Sequence, residues 1–256
     1  MSGLLAGKTA LVMGARNKWS IAWAIAQAYS AQGAKLALTY QGDREEKPVN
    51  ELAESLGGAL VMNCDVTDSA QVEAVFAQIR SEYGRLDAMV HAIAYAKRED
   101  LTGTFLDTSR DGFLLAMDVS VYSLVETAKH AAALMTDGGS IQTLTYLGGE
   151  RVVPNYNVMG VAKAALQASV RYLAADLGPK NIRVNALSAG PIKTMAARGI
   201  SDFDIMLHAV EERSPLRRNV TQQEVANASV FLASDLASAV TGETFHVDCG
   251  YHITAL

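Results

Sequence analysis

Residues 8–22 read KTALVMGARNKWSIA, and this stretch decides the predicted fold. It begins with an unbroken apolar run of strand length, passes through one glycine and a polar loop, and enters a segment of helical period. An apolar run without alternation indicates a strand buried on both faces, which is typical of a parallel sheet. The stretch therefore predicts the first strand–loop–helix unit of an α/β fold.

The same unit recurs along the chain. Apolar runs predict strands at 8–13, 35–40, 59–63, 86–93, 140–145, 182–187 and 243–247. Segments of helical period predict helices at 21–32, 70–83, 112–135, 158–177 and 223–233. Ser69 and Thr221 supply polar helix starts, and Gly33, Gly84 and Gly178 supply stops. This alternation predicts a doubly wound, Rossmann-type α/β fold with helices on both faces of a parallel sheet.

A length of 256 residues allows either one large α/β domain or two small ones. The sequence has no repeat, no low-complexity tract and no linker-like stretch, and its five prolines are scattered. We therefore predict a single domain over residues 1–256. Ligands of such folds bind beyond the carboxyl ends of the strands, so the loops after the strands are where chemistry is expected.

Composition narrows the cellular setting. A net charge of −5 argues weakly against nucleic acid as the main partner. The start of the chain is charged too early for a signal peptide, and no uncharged apolar run approaches the ~20 residues of a membrane-spanning helix. Cys64 and Cys249 lie outside any motif, which favours buried, reduced thiols over catalysis. The five histidines show no metal-ligand spacing, so we expect no metal. The sequence predicts a soluble, cytoplasmic protein without a nucleic-acid or membrane partner.

The loop after the first predicted strand is a candidate pyrophosphate site. Gly14 allows close approach of the backbone, and Ser20 can cap the next helix while offering a hydroxyl to phosphate. Only one glycine occurs here, so the usual dinucleotide fingerprint is absent and an ordinary strand-to-helix turn is an equal alternative.

The residues after the second and third predicted strands are candidates for contact with the adenosine half of a dinucleotide. Gln41 lies where NAD-selective folds often place an acidic residue, and it gives a 2′-phosphate no compensating charge. This favours NADH, although Arg44 keeps NADPH as the less favoured choice. Asp65 and Val66 follow the third strand, where the carboxylate meets either the adenine amino group or only a local turn.

Several motifs together resemble the bacterial enoyl-[acyl-carrier-protein] reductases, a divergent branch of the short-chain dehydrogenase/reductase family. The matching stretches are the loop from Gly14 to Ala22, TYLGGE at 145–150, PNYNVMGVAK at 154–163, RVNALSAGPI at 183–192 and VTGE at 240–243. The resemblance runs almost end to end, and the stretch from Tyr156 to Lys163 is highly specific. It implies a seven-stranded parallel sheet, NADH as the cofactor, a homotetramer, and an acyl carrier protein bearing an enoyl chain as the partner.

The resemblance also implies site residues. The implied cofactor contacts are Gly14, Ser20, Ile21, Gln41, Asp65, Val66, Ile93, Lys163, Ile192, Lys193, Thr194, Met195 and Ala196. Ala96 is an implied acyl-substrate contact, and Tyr146, Tyr156 and Lys163 are the implied catalytic residues. Reduction of an enoyl thioester needs a donor aimed at the thioester oxygen, where negative charge develops. Tyr156 is the candidate donor, Lys163 would hold the nicotinamide ribose, and Tyr146 would line the pocket and assist.

The separation between Tyr156 and Lys163 in the sequence indicates the type of reaction. Ordinary short-chain dehydrogenases carry tyrosine four residues before the lysine, whereas here that position is Met159 and Tyr156 lies seven residues before Lys163. On a helix these separations are about 6 Å and about 10.5 Å along the axis, on nearly the same face. The shift suits an oxygen two carbons beyond the carbon that receives hydride, with Met159 leaving apolar space against the substrate.

Residues 194–213 are predicted to form a substrate lid. Ile200, Phe203, Met206 and Leu207 make an apolar stripe at helical spacing, which by itself indicates only a core-facing helix. Its place after a cofactor loop favours a lid in which Phe203 and Met206 contact the acyl chain. Family members often carry basic residues in this stretch, whereas 199–206 here has two aspartates and no lysine or arginine, which puts carrier docking there in doubt.

Two other functions compete with this interpretation. The nearest is an ordinary short-chain ketone or alcohol dehydrogenase, and the other is a catalytically silent nucleotide-sensing protein built on the same fold. The combination of Tyr146, Tyr156 and Lys163 disfavours the silent protein.

Overall fold

The computed structural model describes residues 3–194 and 203–254, and its centre is one parallel sheet of seven strands. Every predicted strand is present, with bounds that shift by at most two residues. The strands are β1 Thr9–Met13, β2 Lys35–Tyr40, β3 Leu60–Asn63, β4 Ala88–His91, β5 Gly139–Thr145, β6 Ile182–Ala189 and β7 Thr244–Val247. The doubly wound α/β prediction is thereby confirmed.

Helices cover both faces of the sheet. They are α1 Ile21–Ala31, α2 Asp43–Ser55, α3 Ser69–Tyr83, α4 Arg110–Met117, α5 Ser123–Ala132, α6 Asn157–Leu177, α7 Phe203–Arg213 and α8 Gln222–Ala233. Helix α2 was not among the predicted segments. It is mostly polar, contains Pro48, and buries only Val49 and Ala53, so its apolar period is weak.

The predicted helix at 112–135 is wrong in its detail. The segment starts earlier, at Arg110, where Ser109 caps the first turn, and a π-helical turn over Asp118–Tyr122 separates α4 from α5. The extra residue of a π turn changes which side chains face inward. Here Ser120 reaches the backbone of Tyr95, accepting from its N–H at 3.1 Å and donating to its carbonyl at 3.2 Å. A single apolar period along the sequence does not show such an insertion.

The helix starts and stops follow the predicted chemistry with two exceptions. Gly84 ends α3 in the left-handed conformation, and Thr221 forms a reciprocal capping box with Glu224 at the start of α8. The cap of α3 is Asp68 instead of Ser69. Gly178 is right-handed and starts a short 3-10 turn, so the left-handed reversal falls at Asn181.

The strand order creates one crevice at the carboxyl edge of the sheet. The order is β3-β2-β1-β4-β5-β6-β7, so the winding reverses between β1 and β4. Met13, the last residue of β1, pairs with Thr39 on one side and His91 on the other. Open α/β sheets bind ligands at such a switch point. The loops that leave β1, β2 and β4 therefore meet at one place.

Core packing holds β1 rigidly in this position. All five of its residues are buried, with Leu11 and Met13 in the apolar cluster on one face of the sheet and Ala10 and Val12 in the cluster on the other. Burial on both faces explains why its sequence is apolar without alternation.

Candidate active site

The loop after β1 brings backbone unusually close to the neighbouring strand. Gly14 has a φ of 88°, and a β-carbon there would lie 2.4 Å from the carbonyl oxygen of Ala92. Only glycine fits a left-handed position with so little space. Ser20 caps α1 by accepting from the N–H of Trp23 at 3.1 Å, and its hydroxyl donates to the carbonyl of Asn17 at 2.9 Å. The first turn of α1 thus presents its N–H groups and positive dipole end to the crevice.

The crevice holds a cavity of about 540 Å³ with a second lobe beside β2 and β3. This volume lies within the range of small-molecule sites in proteins. Eight of the predicted cofactor residues line one or other lobe: Gly14, Ser20, Ile21, Gln41, Val66, Ile93, Lys163 and Thr194. Asp65, Ile192 and Lys193 lie in the adjoining loops without lining either lobe, and Met195 and Ala196 lie outside the described residues.

Asp65 forms a local turn after β3. Its carboxylate accepts from the N–H of Thr67 at 2.9 Å and from the Thr67 hydroxyl at 2.7 Å. Burial raises the pKa of this carboxyl, but these bonds and one to Gln41 outweigh it and hold the pKa below its usual value. The turn alternative is therefore realised, and the bond to Gln41 ties together the ends of β2 and β3. Contact of Asp65 with adenine stays a prediction.

Arg16 and Glu45 also line both lobes, and the sequence analysis did not identify them. They form an ion pair across the crevice between the loop after β1 and the first turn of α2. Arg44, the predicted cation for NADPH, is exposed and does not line either lobe. The sequence signal for Arg16 and Glu45 was only that each is a charged residue shortly after a predicted strand, and many residues share that property.

Two tyrosines meet beyond the end of β5. Tyr146 follows the strand directly and Tyr156 immediately precedes α6, and their rings pack edge to face with centroids 5.1 Å apart. Gly148 lies against this pair, since a β-carbon there would be 2.4 Å from the Tyr156 ring. The glycines of the TYLGGE motif thus allow the strand exit and the start of α6 to approach closely.

Burial raises the pKa of both tyrosine hydroxyls above its usual value. It raises the pKa of Tyr156, with Tyr146 adding to the effect, and it raises the pKa of Tyr146 together with Tyr251 and Asp248. A tyrosine that retains its proton at neutral pH can donate a hydrogen bond to an oxygen on which negative charge develops.

Lys163 lies on α6 beneath the cavity and is buried. Its ammonium donates to the carbonyl of Leu144 at 2.7 Å. Burial lowers the pKa of Lys163 to about 8, so the side chain is mostly charged at neutral pH and loses its proton a little above it. The carbonyl fixes the direction of the ammonium, which retains two further donor hydrogens.

Met159 and Ala96 both lie near the π turn that carries Ser120. Met159 is buried in the first turn of α6, with its sulfur 4.0 Å from the hydroxyl of Ser120 on the π turn. Ala96 is partly buried and follows Tyr95, whose backbone is bonded to that same hydroxyl. The π turn therefore links the loop after β4 to the Tyr156–Lys163 helix.

Helix α7 contacts the tyrosine pair. The hydroxyl of Tyr146 donates to the sulfur of Met206 at 3.0 Å, and Phe203 is partly buried at the start of the helix. Lys193 pairs with Asp204 at 2.8 Å, which joins the loop after β6 to α7. Ile200 and the rest of 195–202 lie outside the described residues.

Cys64 lines the second lobe of the cavity, and Cys249 lies in the loop after β7. Cys64 and Cys249 are both free, and burial raises the pKa of Cys64 to about 12. Within residues 3–194 and 203–254, no group of three or more histidine, cysteine or acidic side chains is arranged to hold a metal ion.

The chain is similar in sequence to known enoyl-[acyl-carrier-protein] reductases. The family model described as enoyl-(acyl carrier protein) reductase matches residues 14–252. The enoyl-[acyl-carrier-protein] reductase [NADH] of Bacillus cereus is 58% identical over 252 residues, covering 98% of each chain, and that of Bacillus subtilis is 54% identical over 257 residues, covering 100% of each.

Solved structures agree with the sequence comparison. The Bacillus cereus reductase with NADP⁺ and indole naphthyridinone superposes with a TM-score of 0.98 at 57% identity, covering 99% of this chain and 100% of that one. The reductase of Anaplasma phagocytophilum in complex with NAD superposes with a TM-score of 0.97 at 51% identity, covering 100% of this chain and 98% of that one.

Proposed function

The chain belongs to the enoyl-[acyl-carrier-protein] reductases, and we propose that it reduces the trans-2 double bond of enoyl chains on acyl carrier protein with NADH. This is the last reductive step of the fatty-acid elongation cycle. The observation that carries the proposal is the packing of Tyr156 against Tyr146 beyond the end of β5, at the start of the helix that also holds the buried Lys163.

The crevice fits the adenine dinucleotide. Gly14 leaves no room for a side chain beside Ala92, and the first turn of α1 offers N–H groups to a pyrophosphate. Ser20 and Ile21 would contact the phosphates, Gln41, Asp65 and Val66 the adenosine, and Ile93, Lys163 and residues 192–196 the nicotinamide half. When bound, the cofactor supplies the hydride for the β-carbon of the substrate.

Tyr156 is the proposed donor to the thioester oxygen. Its raised pKa keeps the hydroxyl protonated, and its low solvent exposure strengthens a hydrogen bond to developing negative charge. Tyr146 packs edge to face against the Tyr156 ring and donates to the sulfur of Met206. In this proposal it also lines the acyl pocket. Lys163 holds the ribose hydroxyls through donors that Leu144 leaves available, and it adds positive charge near the reacting oxygen.

The spacing of these groups favours enoyl over ketone substrates. In a ketone, the oxygen to be protonated is bonded to the carbon that receives hydride, whereas in an enoyl thioester it is two carbons further along. Tyr156 precedes the first residue of α6, one turn before Met159, where an ordinary dehydrogenase carries its tyrosine. The buried thioether of Met159 offers no strong donor at that place. Ala96, Phe203 and Met206 complete the acyl-binding surface in this proposal.

The experiment follows NADH oxidation with crotonyl and acetoacetyl thioesters offered separately. We expect reduction of the crotonyl thioester and little or no reduction of the acetoacetyl thioester. The opposite preference would establish an ordinary ketone reductase, and no oxidation with either, despite NADH binding, would favour the silent nucleotide-sensing protein.

Residues 1–256 are proposed as a single domain in which 194–213 form the lid. The contact between Tyr146 and Met206 supports a lid that closes on the tyrosine pair. Limited proteolysis with and without NADH measures this: cleavage between 194 and 213 should slow when the cofactor is bound.

The partner surface is proposed to lie beside the lid, where an acidic carrier protein meets cations. Lys193, Arg217 and Arg218 are exposed there, and Arg198 lies outside the described residues. Asp204 is paired with Lys193 and Arg218 with Glu224, so these exposed pairs reduce the local field without abolishing it. Asp202, like the other residues of 199–202, lies outside the described residues.

The assembly is proposed to be a cytoplasmic homotetramer. Helix α6 buries Leu166 and Val170 inward, while Val161, Ala164 and Tyr172 are exposed on its outer face. Exposed apolar residues on one helix face favour packing between subunits, which light scattering measures directly. None of the described helices has the length and apolar character needed to cross a membrane.

A further inference from the structure

Glu45 is an acidic side chain in the wall of the proposed cofactor crevice. It lies in the first turn of α2, three residues after Gly42, whose φ of 74° turns the chain out of β2. Glu45 lines both lobes of the cavity together with Gly14 and Arg16. Its side chain is only 14% exposed, so its carboxylate lies in the wall of the crevice and does not extend into solvent.

The two carboxylate oxygens of Glu45 have different surroundings. Oε1 accepts from both Nε and Nη2 of Arg16, so the guanidinium is committed to this carboxylate. Oε2 is buried and has no hydrogen-bond partner within the described part of the chain. A buried carboxylate oxygen without a donor is unfavourable, and a hydroxyl from a ligand would satisfy it.

The charges around Glu45 disfavour binding of a 2′-phosphate. The first turn of α2 carries Asp43, Glu45 and Glu46, whereas the nearby cations include Arg16, Arg44 and Lys47, of which Arg16 pairs with Glu45 and Lys47 with Glu51. Gln41 at the end of β2 is neutral and is bonded to Asp65. The acidic residue that such folds usually carry at the end of β2 is therefore absent there, and the start of α2 supplies one instead.

We propose that Glu45 is the residue that selects NADH against NADPH. Its carboxylate accepts a hydroxyl of the adenosine ribose, repels a 2′-phosphate, and keeps Arg16 from pairing with that phosphate. This inference rests on the proposed placement of the adenosine between the ends of β1, β2 and β3. It assigns the selection to an ion pair across the crevice, and not to the neutral Gln41 alone.

The test compares Glu45→Gln with wild type. Calorimetry measures binding of adenosine 5′-diphosphoribose and of its 2′-phosphate, and steady-state kinetics measures kcat/KM with NADH and NADPH on a crotonyl thioester. We expect the preference for the unphosphorylated probe over the phosphorylated one to fall by about tenfold or more, because a like charge is removed and Arg16 is released. In Glu45→Gln/Arg16→Gln, most of the gain for the phosphorylated probe should disappear.

Glu54→Gln is the matched control, because Glu54 is an exposed residue of the same helix and the change in net charge is identical. Its probe preference should equal that of wild type. An unchanged preference in a folded Glu45→Gln variant, or an equal shift in Glu54→Gln, overturns the assignment to Glu45. Failure of the wild-type protein to bind adenosine 5′-diphosphoribose overturns the placement of the adenosine, and with it the proposed function.

Discussion

The two ends of the crevice hold their charges in different ways. At the adenosine end, Arg16 is largely exposed and its charge is balanced by Glu45 in an ion pair between two loops. At the proposed nicotinamide end, Lys163 is buried and has no carboxylate partner among the described residues, and it donates to the neutral carbonyl of Leu144. We therefore propose that the adenosine end uses charge to choose a ligand, whereas the nicotinamide end uses burial to tune proton donors.

This difference explains where pKa values move. Burial lowers the pKa of Lys163 to about 8 and raises that of Tyr156, whereas the carboxyl of Asp65 at the other end is held below its usual value by hydrogen bonds. Groups with shifted pKa values in a crevice are typical of functional sites. We therefore expect substitutions at the buried end to change the rate most and those at the exposed surface to change it least.

The largest effect is expected from Tyr156→Phe. Removal of one donor to a developing oxyanion typically lowers kcat by about 10²–10³-fold. NADH affinity should change little, because the hydroxyl acts on the substrate. Stopped-flow NADH oxidation with a crotonyl thioester gives kcat, and Tyr122→Phe, an exposed tyrosine of the π turn, is the control. If Tyr156→Phe keeps the wild-type rate, the donor is a different group.

A smaller effect is expected from Lys163→Met. Loss of a charge-assisted hydrogen bond costs about 1.5–3 kcal/mol, which corresponds to NADH binding weaker by about 10- to 150-fold. Titration calorimetry measures it, with Lys180→Met as the exposed control. Unchanged NADH affinity in the folded variant would assign Lys163 a purely structural role.

The pH dependence of binding sharpens the same prediction. The pKa of Lys163 is lowered to about 8, so the charged form is present below that pH and is lost as pH rises through it. NADH affinity of the wild type should therefore fall between about pH 7 and 9, and that fall should be absent in Lys163→Met. A fall of equal size in both proteins would place the titrating group elsewhere.

The smallest effect is expected at the exposed surface beside the lid. Reversal of Arg217 and Arg218 to glutamate should raise KM for carrier-linked crotonyl substrate severalfold, because a cationic docking surface becomes anionic. KM for the coenzyme A analogue should be unchanged, and increasing salt should diminish the difference. Equal effects on both substrates would mean that these residues do not dock the carrier.

The predicted fold was recovered because buried parallel strands have a sequence signature of their own. Each apolar run had a length and flanking residues that fixed its type, and only the bounds moved by a residue or two. Helix α2 was missed because it packs only a narrow apolar strip and contains Pro48. The π turn was missed because it accompanies a contact between Ser120 and the backbone of Tyr95. These residues are 25 positions apart, and a local sequence pattern does not show such a contact.

The sequence by itself determined the doubly wound sheet, the crevice at its carboxyl edge, and the grouping of Tyr146, Tyr156 and Lys163 within 18 residues. Those features depend on periodicity and short spacing, which are local properties of the chain. Only the tertiary structure decided that Arg16 forms an ion pair with Glu45. The same holds for the hydrogen bond from Lys163 to the carbonyl of Leu144 and for the one from Tyr146 to the sulfur of Met206. Each of these contacts joins segments that approach only after the strands have paired, so their geometry follows from the packing of the whole sheet and from no single stretch of sequence.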